Sequence, residues 1–303
     1  MRNKIIKFVF FGNYFVGLLS IMLSIETDFQ LRLPFNSILY YLLLFSATVM
    51  YYTYAYTNPL QAYSLDNPRS VWYIQHRFFV KYSQLFFLAL CIIIGGLLFV
   101  RYFENLLQMS VVYWLIISVI LLSAILYYGL LPRSFFRLNL RNTGWIKAFV
   151  IGFVWSSSVS LLPIIVLQLE HGYYYTEPIL VTGLFVKNWM FCTVNAIMFD
   201  MKDYEDDSNY QLKTFVVRFG VEKTIFFILF PLCLIGIFFT FVFSEYRHFT
   251  FPSVFLNLLP FLLLLVITYS MLRHKQILYY LVVIDGVIMV KAICGIIAMR
   301  FVH

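Results

Sequence analysis

Residues Phe78–Val100 read FFVKYSQLFFLALCIIIGGLLFV, and Lys81 is the only charged side chain in the run. Coiled as a helix at about 1.5 Å per residue, a run of this length crosses roughly 30 Å of hydrocarbon. Lipid offers the backbone no water, so amide groups must bond within the segment, and a helix does this. The same character returns in 5–25, 35–57, 109–131, 147–169, 178–199, 224–243, 250–271 and 277–299. These runs predict an all-α, polytopic membrane bundle of about nine transmembrane helices.

Composition agrees. Of the 303 residues, 62% are hydrophobic and 12% charged. A soluble domain is nearer to half apolar and a quarter charged, so the excess apolar surface must face lipid. The loops are short, which leaves 1–303 as a single integral-membrane domain. The two longest polar loops, 58–77 and 200–223, each follow an even-numbered span and lie four spans apart. That spacing points to two related halves, about 1–140 and 141–303.

The net charge of +8 does not imply nucleic acid, because the basic residues form no patch and no nucleic-acid motif. Sixteen of the 22 Lys and Arg residues fall in 1–8, 58–82, 132–147, 200–223 and 272–276. The intervening loops hold only Arg32, Arg101, Arg247 and Arg300, and Lys187 and Lys291 lie within spans. The positive-inside rule then puts the N-terminus in the cytoplasm and the C-terminus outside. Arg2, Lys4 and Lys7 precede the first apolar run as in a signal peptide, but no small-residue cleavage site follows, and the run reads as a retained span. Cys91, Cys192, Cys233 and Cys294 stand singly in apolar stretches, as buried small hydrophobes do. The five histidines make no zinc-binding pattern.

Chemistry concentrates in Asp200-Met-Lys-Asp203-Tyr-Glu-Asp-Asp207, which holds five of the 14 acidic residues. Asp200, Asp203 and Asp207 are spaced i, i+3, i+7 and share one helix face. Carboxylates so placed repel one another unless a cation sits among them. Hard oxygen ligands suit Mg²⁺, which takes one or two carboxylates together with substrate phosphates. Lys213 and Arg218 follow closely, as an anionic ligand requires. The bland alternative is a hydrated acidic loop, which would run against the basic bias of cytoplasmic loops.

The run DMKDYEDDSNYQLKTFVVRFG, residues 200–220, resembles the second aspartate motif of the UbiA prenyltransferase family. That motif is D-x-x-D-x-x-x-D with a tail like Lys213-Thr214-Phe-Val-Val-Arg218-Phe-Gly220. The nine-span count and the two loops after spans two and six are similar as well. The resemblance implies transfer of an isoprenoid group from a polyprenyl diphosphate to a hydrophobic, often aromatic, acceptor. It also implies that Asp200, Asp203 and Asp207 hold Mg²⁺ and that Lys147, at the start of span five, lies near the diphosphate. The other reading of Lys147 is a snorkelling membrane anchor like Arg133, Arg137 and Arg141.

The family's first motif, N-D-x-x-D-x-x-x-D, is eroded. Asn58-Pro59-Leu-Gln-Ala62-Tyr-Ser-Leu-Asp66 keeps Asn58 and Asp66 at the outer positions and lacks both middle aspartates. Asn58, Asp66, Arg69, Lys213, Arg218 and Asn195 are the candidate substrate contacts. Arg77 could likewise touch a phosphate or mark the inner surface.

Lys187, Asp285 and Lys291 lie inside apolar runs. A charge at mid-bilayer costs about 2.5–3.5 kcal/mol on insertion scales, so each is either a functional group or is bonded to a neighbouring helix. Asp285 and Lys291 are too far round one helix to pair with each other.

Three functions follow. The first is an Mg²⁺-dependent membrane prenyltransferase, expected in the bacterial inner membrane. The second is a catalytically degenerate lipid- or isoprenoid-binding protein on the same helices. The third is a transporter using the intramembrane charges, against which stands the placement of the acidic cluster at a membrane edge rather than at the midplane.

Overall fold

The computed structural model describes residues 2–57, 67–128, 144–202, 204 and 212–301. It is helical throughout, with no strand among the described residues. The helices are α1 (Arg2–Phe11), α2 (Tyr14–Leu31), α3 (Ile38–Thr57), α4 (Pro68–Gln75), α5 (Arg77–Arg101), α6 (Phe103–Leu107) and α7 (Val111–Tyr128). They continue as α8 (Ile146–His171), α9 (Pro178–Lys202), α10 (Phe215–Phe219), α11 (Val221–Tyr246), α12 (Phe251–Ser270) and α13 (Ile277–Phe301). Eight of these are long and apolar enough to cross a membrane: α3, α5, α7, α8, α9, α11, α12 and α13. A ninth span arises if α1 and α2, bent by 58°, count as one. The chain is a multi-pass membrane protein.

The first apolar run, expected to be one retained span, is bent between α1 and α2. Gly12 has no room for a side chain: a Cβ there would lie 2.6 Å from both the Phe8 carbonyl and the Tyr14 ring. Asn13 follows with φ of 64°, a left-handed conformation that asparagine tolerates better than most residues. The break frees the Phe11 carbonyl, and a buried network takes it up. Tyr73 donates to it at 2.8 Å, and Arg69 through Nε and Nη2 at 3.3 and 3.1 Å. Asn13 donates to Thr53 and Tyr73 and accepts from Arg69. Burial pushes the Tyr73 phenol above its ordinary range, with the Arg69 guanidinium pulling the other way, so the hydroxyl stays a donor.

Two compact units make up the chain, and they interleave in sequence. Unit 1 holds 1–22, 35–108 and 166–173; unit 2 holds 23–34, 109–165 and 174–303. In unit 1, α3 packs on α5, with α4 closing one end. In unit 2, α9 lies between α8 and α11, α12 packs on α13, and α7 packs on α8. The approach of α8 to α9 depends on Gly152, where a Cβ would meet Thr193 Oγ1 at 2.2 Å and its backbone nitrogen at 2.9 Å. Polar side chains add to this seam: Ser156 donates to the Phe185 carbonyl at 2.6 Å and Asn188 to Ser160 at 2.8 Å.

Three spans contain widened turns, at Ser157–Leu161, Ile225–Leu229 and Tyr280–Ile284. Two of them have a simple cause. Pro163 and Pro231 each lack an amide hydrogen, and their rings crowd the carbonyls of Val159 and Phe227 four residues earlier. A wider turn relieves both problems without ending the helix.

Candidate functional site

Lys147 is the second residue of α8 and Asp200 lies in the last turn of α9. Each sits at the end of its own helix that disfavours its charge, a cation at an N-terminus and an anion near a C-terminus. The antiparallel packing of α8 on α9 brings the two together, Nζ to Oδ1 at 3.0 Å, and both are buried. Pairing thus offsets two unfavourable placements and part of the desolvation that burial imposes.

The tail after the acidic run closes on the same end of unit 2. Thr214 caps α10, its hydroxyl accepting from the Val217 amide at 3.3 Å. Phe215 packs on Trp145 and Phe149, with ring centroids 6.1 and 6.2 Å apart. Gly144, at φ of 71°, lies so close to the Lys213 backbone that a Cβ would sit 2.4 Å from its carbonyl oxygen. Gly220 ends the tail at φ of 79°, a conformation that glycine adopts without strain. Asp200, Lys147 and the 213–220 segment therefore share one end of unit 2. The Lys213 and Arg218 side chains are exposed there and make no ion pair with a described acidic residue; Arg218 lies over the Phe219 ring.

Asn195 is buried five residues before Asp200 and donates to the Phe191 carbonyl at 3.2 Å, while its Oδ1 accepts no hydrogen bond among the described residues. Asp203, Asp207, Asn58 and Asp66 lie outside the described residues. Arg69 belongs to unit 1, where its guanidinium serves the Phe11–Asn13 turn and stacks over Tyr56 at 4.3 Å.

Among the described residues no three His, Cys, Asp or Glu side chains gather as a metal site. Asp200 supplies one oxygen-donor side chain. That fits Mg²⁺, which needs only one or two protein carboxylates when phosphates complete its shell.

A second polar cluster lies deep in unit 2. Lys291 on α13 donates to both carboxylate oxygens of Glu26 at 2.6 and 2.9 Å. Lys187 on α9 lies 3.8 Å from the same carboxylate and donates to Asn257 Oδ1 on α12 at 3.2 Å. Gln30 donates to the same Asn257 oxygen and to the Gly295 carbonyl. All five side chains are buried. Aromatic faces complete the surroundings, Phe243 at 5.3 Å from Lys187 and Phe191 at 5.8 Å from Lys291. The intramembrane lysines stand out in the sequence, whereas Glu26 lies at the edge of its apolar run and looks like a solvated end. Gly295 makes room for it, because a Cβ there would lie 2.5 Å from Glu26 Oε1. Asp285 is buried in α13, directly after the widened turn.

No protein-family model, curated protein or solved structure matches the chain.

Proposed function

We propose that the protein is a membrane prenyltransferase of the UbiA type, transferring an isoprenoid group from a polyprenyl diphosphate to a hydrophobic or aromatic acceptor. In this reading it sits in a bacterial inner membrane with its N-terminus in the cytoplasm, and the diphosphate binds at the Asp200 end of unit 2. The observation that carries the reading is the meeting of Lys147, Asp200 and the 213–220 tail at that end.

The chemistry asks for charge at the leaving group. The allylic C–O bond breaks and its electron pair departs with the diphosphate. An electron pair of the acceptor then forms the new bond to the allylic carbon, and the acceptor gives up a proton. Asp200 with Asp203 and Asp207 would hold Mg²⁺, which would supply positive charge where the diphosphate accumulates negative charge. Lys147 holds the Asp200 carboxylate in place at 3.0 Å and adds a fixed cation beside it. Lys213 and Arg218, exposed and without acidic partners among the described residues, are available to phosphate oxygens. No described residue is assigned as a general base.

The test is titration of the full chain in detergent with a non-cleavable prenyl diphosphate analogue, with and without Mg²⁺, alongside Asp203→Asn. Mg²⁺-dependent binding that the variant loses supports the reading. Binding indifferent to both the ion and the variant, or none, overturns it. A second reading, a non-enzymatic lipid-binding protein, is favoured by Arg69, whose guanidinium is engaged by the chain's own backbone beside the eroded first motif. Turnover of any prenyl diphosphate would dismiss it.

A further inference from the structure

Unit 1 contains a half-open cavity of about 620 Å³ between α3, α4 and the first three turns of α5. That volume falls within the usual range for small-molecule sites, roughly 300–1,000 Å³. Its lining is graded along the helix axes. At one end stand Arg77 and Lys81 of α5, with Tyr56 and Thr57 of α3 and Tyr73 of α4. At the other end the walls are Met50, Leu85 and Leu88. Arg77, Lys81, Gln84 and Leu88 follow i, i+4, i+7 and i+11, so α5 presents them on one face. From Arg77 to Leu88 the helix rises about 16 Å, which carries the cavity from the membrane edge into hydrocarbon.

Among the described residues no acidic side chain lines the cavity, and neither Arg77 nor Lys81 makes an ion pair. Tyr56 stacks flat on Tyr73, with centroids 4.8 Å apart, and the Arg69 guanidinium lies 4.3 Å from the Tyr56 ring centroid. A basic, hydroxyl-bearing mouth above an aliphatic trough matches one kind of occupant, an amphiphile with an anionic head and a hydrocarbon tail. We propose that this cavity is a binding site for an anionic phospholipid, its headgroup phosphate held by Arg77 and Lys81 and one acyl chain lying along Met50, Leu85 and Leu88. The site belongs to unit 1 and does not depend on the prenyltransferase reading.

A snorkelling pair of surface cations would attract anionic lipid with no cavity at all, and a soluble phosphate site would need no trough. The experiment separates these. The full chain in detergent is titrated with phosphatidylglycerol, with phosphatidylcholine of the same acyl chains, and with glycerol 3-phosphate, and bound adducts are counted by native mass spectrometry. Two cations near a membrane surface predict a preference for phosphatidylglycerol of about tenfold or more. Arg77→Gln with Lys81→Gln should lower that preference to near unity, whereas the control pair Arg273→Gln with Lys275→Gln should leave it unchanged. Leu88→Trp keeps both charges and fills the trough; it should cut phosphatidylglycerol binding several-fold in a protein whose melting temperature is unchanged. Equal binding of the two lipids, equal loss in the control pair, full binding by Leu88→Trp, or glycerol 3-phosphate displacing the lipid would each overturn the proposal.

Discussion

Lys291 and Glu26 are 265 residues apart in the chain, yet the Lys291 ammonium bonds both carboxylate oxygens of Glu26 inside unit 2. Lys187 lies 3.8 Å from one of those oxygens, so a single carboxylate stands between two lysines. Removing the shared partner leaves the largest electrostatic debt. Glu26→Gln should destabilise the protein by about 3–5 kcal/mol, the usual cost of stranding a buried charge. Combining it with Lys291→Met should cost less than the two single changes summed. Unfolding in detergent, run as a double-mutant cycle, checks this; strict additivity would show that the pair is not coupled.

Lys147 is predicted to act through both its charge and its hold on Asp200. Lys147→Met should weaken binding of the diphosphate analogue by about tenfold, the scale of one lost charge-assisted contact. Lys147→Arg should recover part of that loss. Affinity unchanged in Lys147→Met would make the pair a structural one only.

Gly152 sets the distance between α8 and α9. Gly152→Ala must displace the Thr193 backbone as well as its side chain, because both lie within 2.9 Å of the new Cβ. The expected loss is about 1–3 kcal/mol. Adding Thr193→Ala removes the hydroxyl contact and leaves the backbone one, so it should rescue only part. Complete rescue, read from melting temperatures, would show that the side-chain clash alone matters.

Asn13 separates backbone strain from hydrogen bonding. Asn13→Gly keeps the left-handed turn and loses the bonds to Thr53, Tyr73 and Arg69. Asn13→Ala loses the same bonds and adds the strain of a positive φ, about 1 kcal/mol more. Stability should fall in the order wild type, Asn13→Gly, Asn13→Ala. Equal values for the two variants would mean that the turn relaxes.

The spans were legible because hydrocarbon imposes a length and a composition that nothing else in the chain imitates. Runs such as 78–100 and 178–199 fall within a few residues of α5 and α9. The bend in the first run was not legible, since Arg69 and Tyr73, which take up the freed Phe11 carbonyl, come from far along the chain. The site was legible in part. Asp200 and Lys147 were singled out as residues, but not as partners.

Sequence alone determined that this chain lives in a membrane as a bundle of apolar helices, and that its carboxylates cluster after the 178–199 run. Local composition suffices for both, because burial in lipid and charge spacing along one helix are properties of neighbouring residues. Only the tertiary structure decided that Lys147 meets Asp200, that Glu26 lies between two intramembrane lysines, and that Arg77 and Lys81 border a trough. Those facts depend on which helices pack and at what distance, and such close approaches are set by side-chain volume across the interface, as at Gly152 and Gly295, not by any pattern within one run.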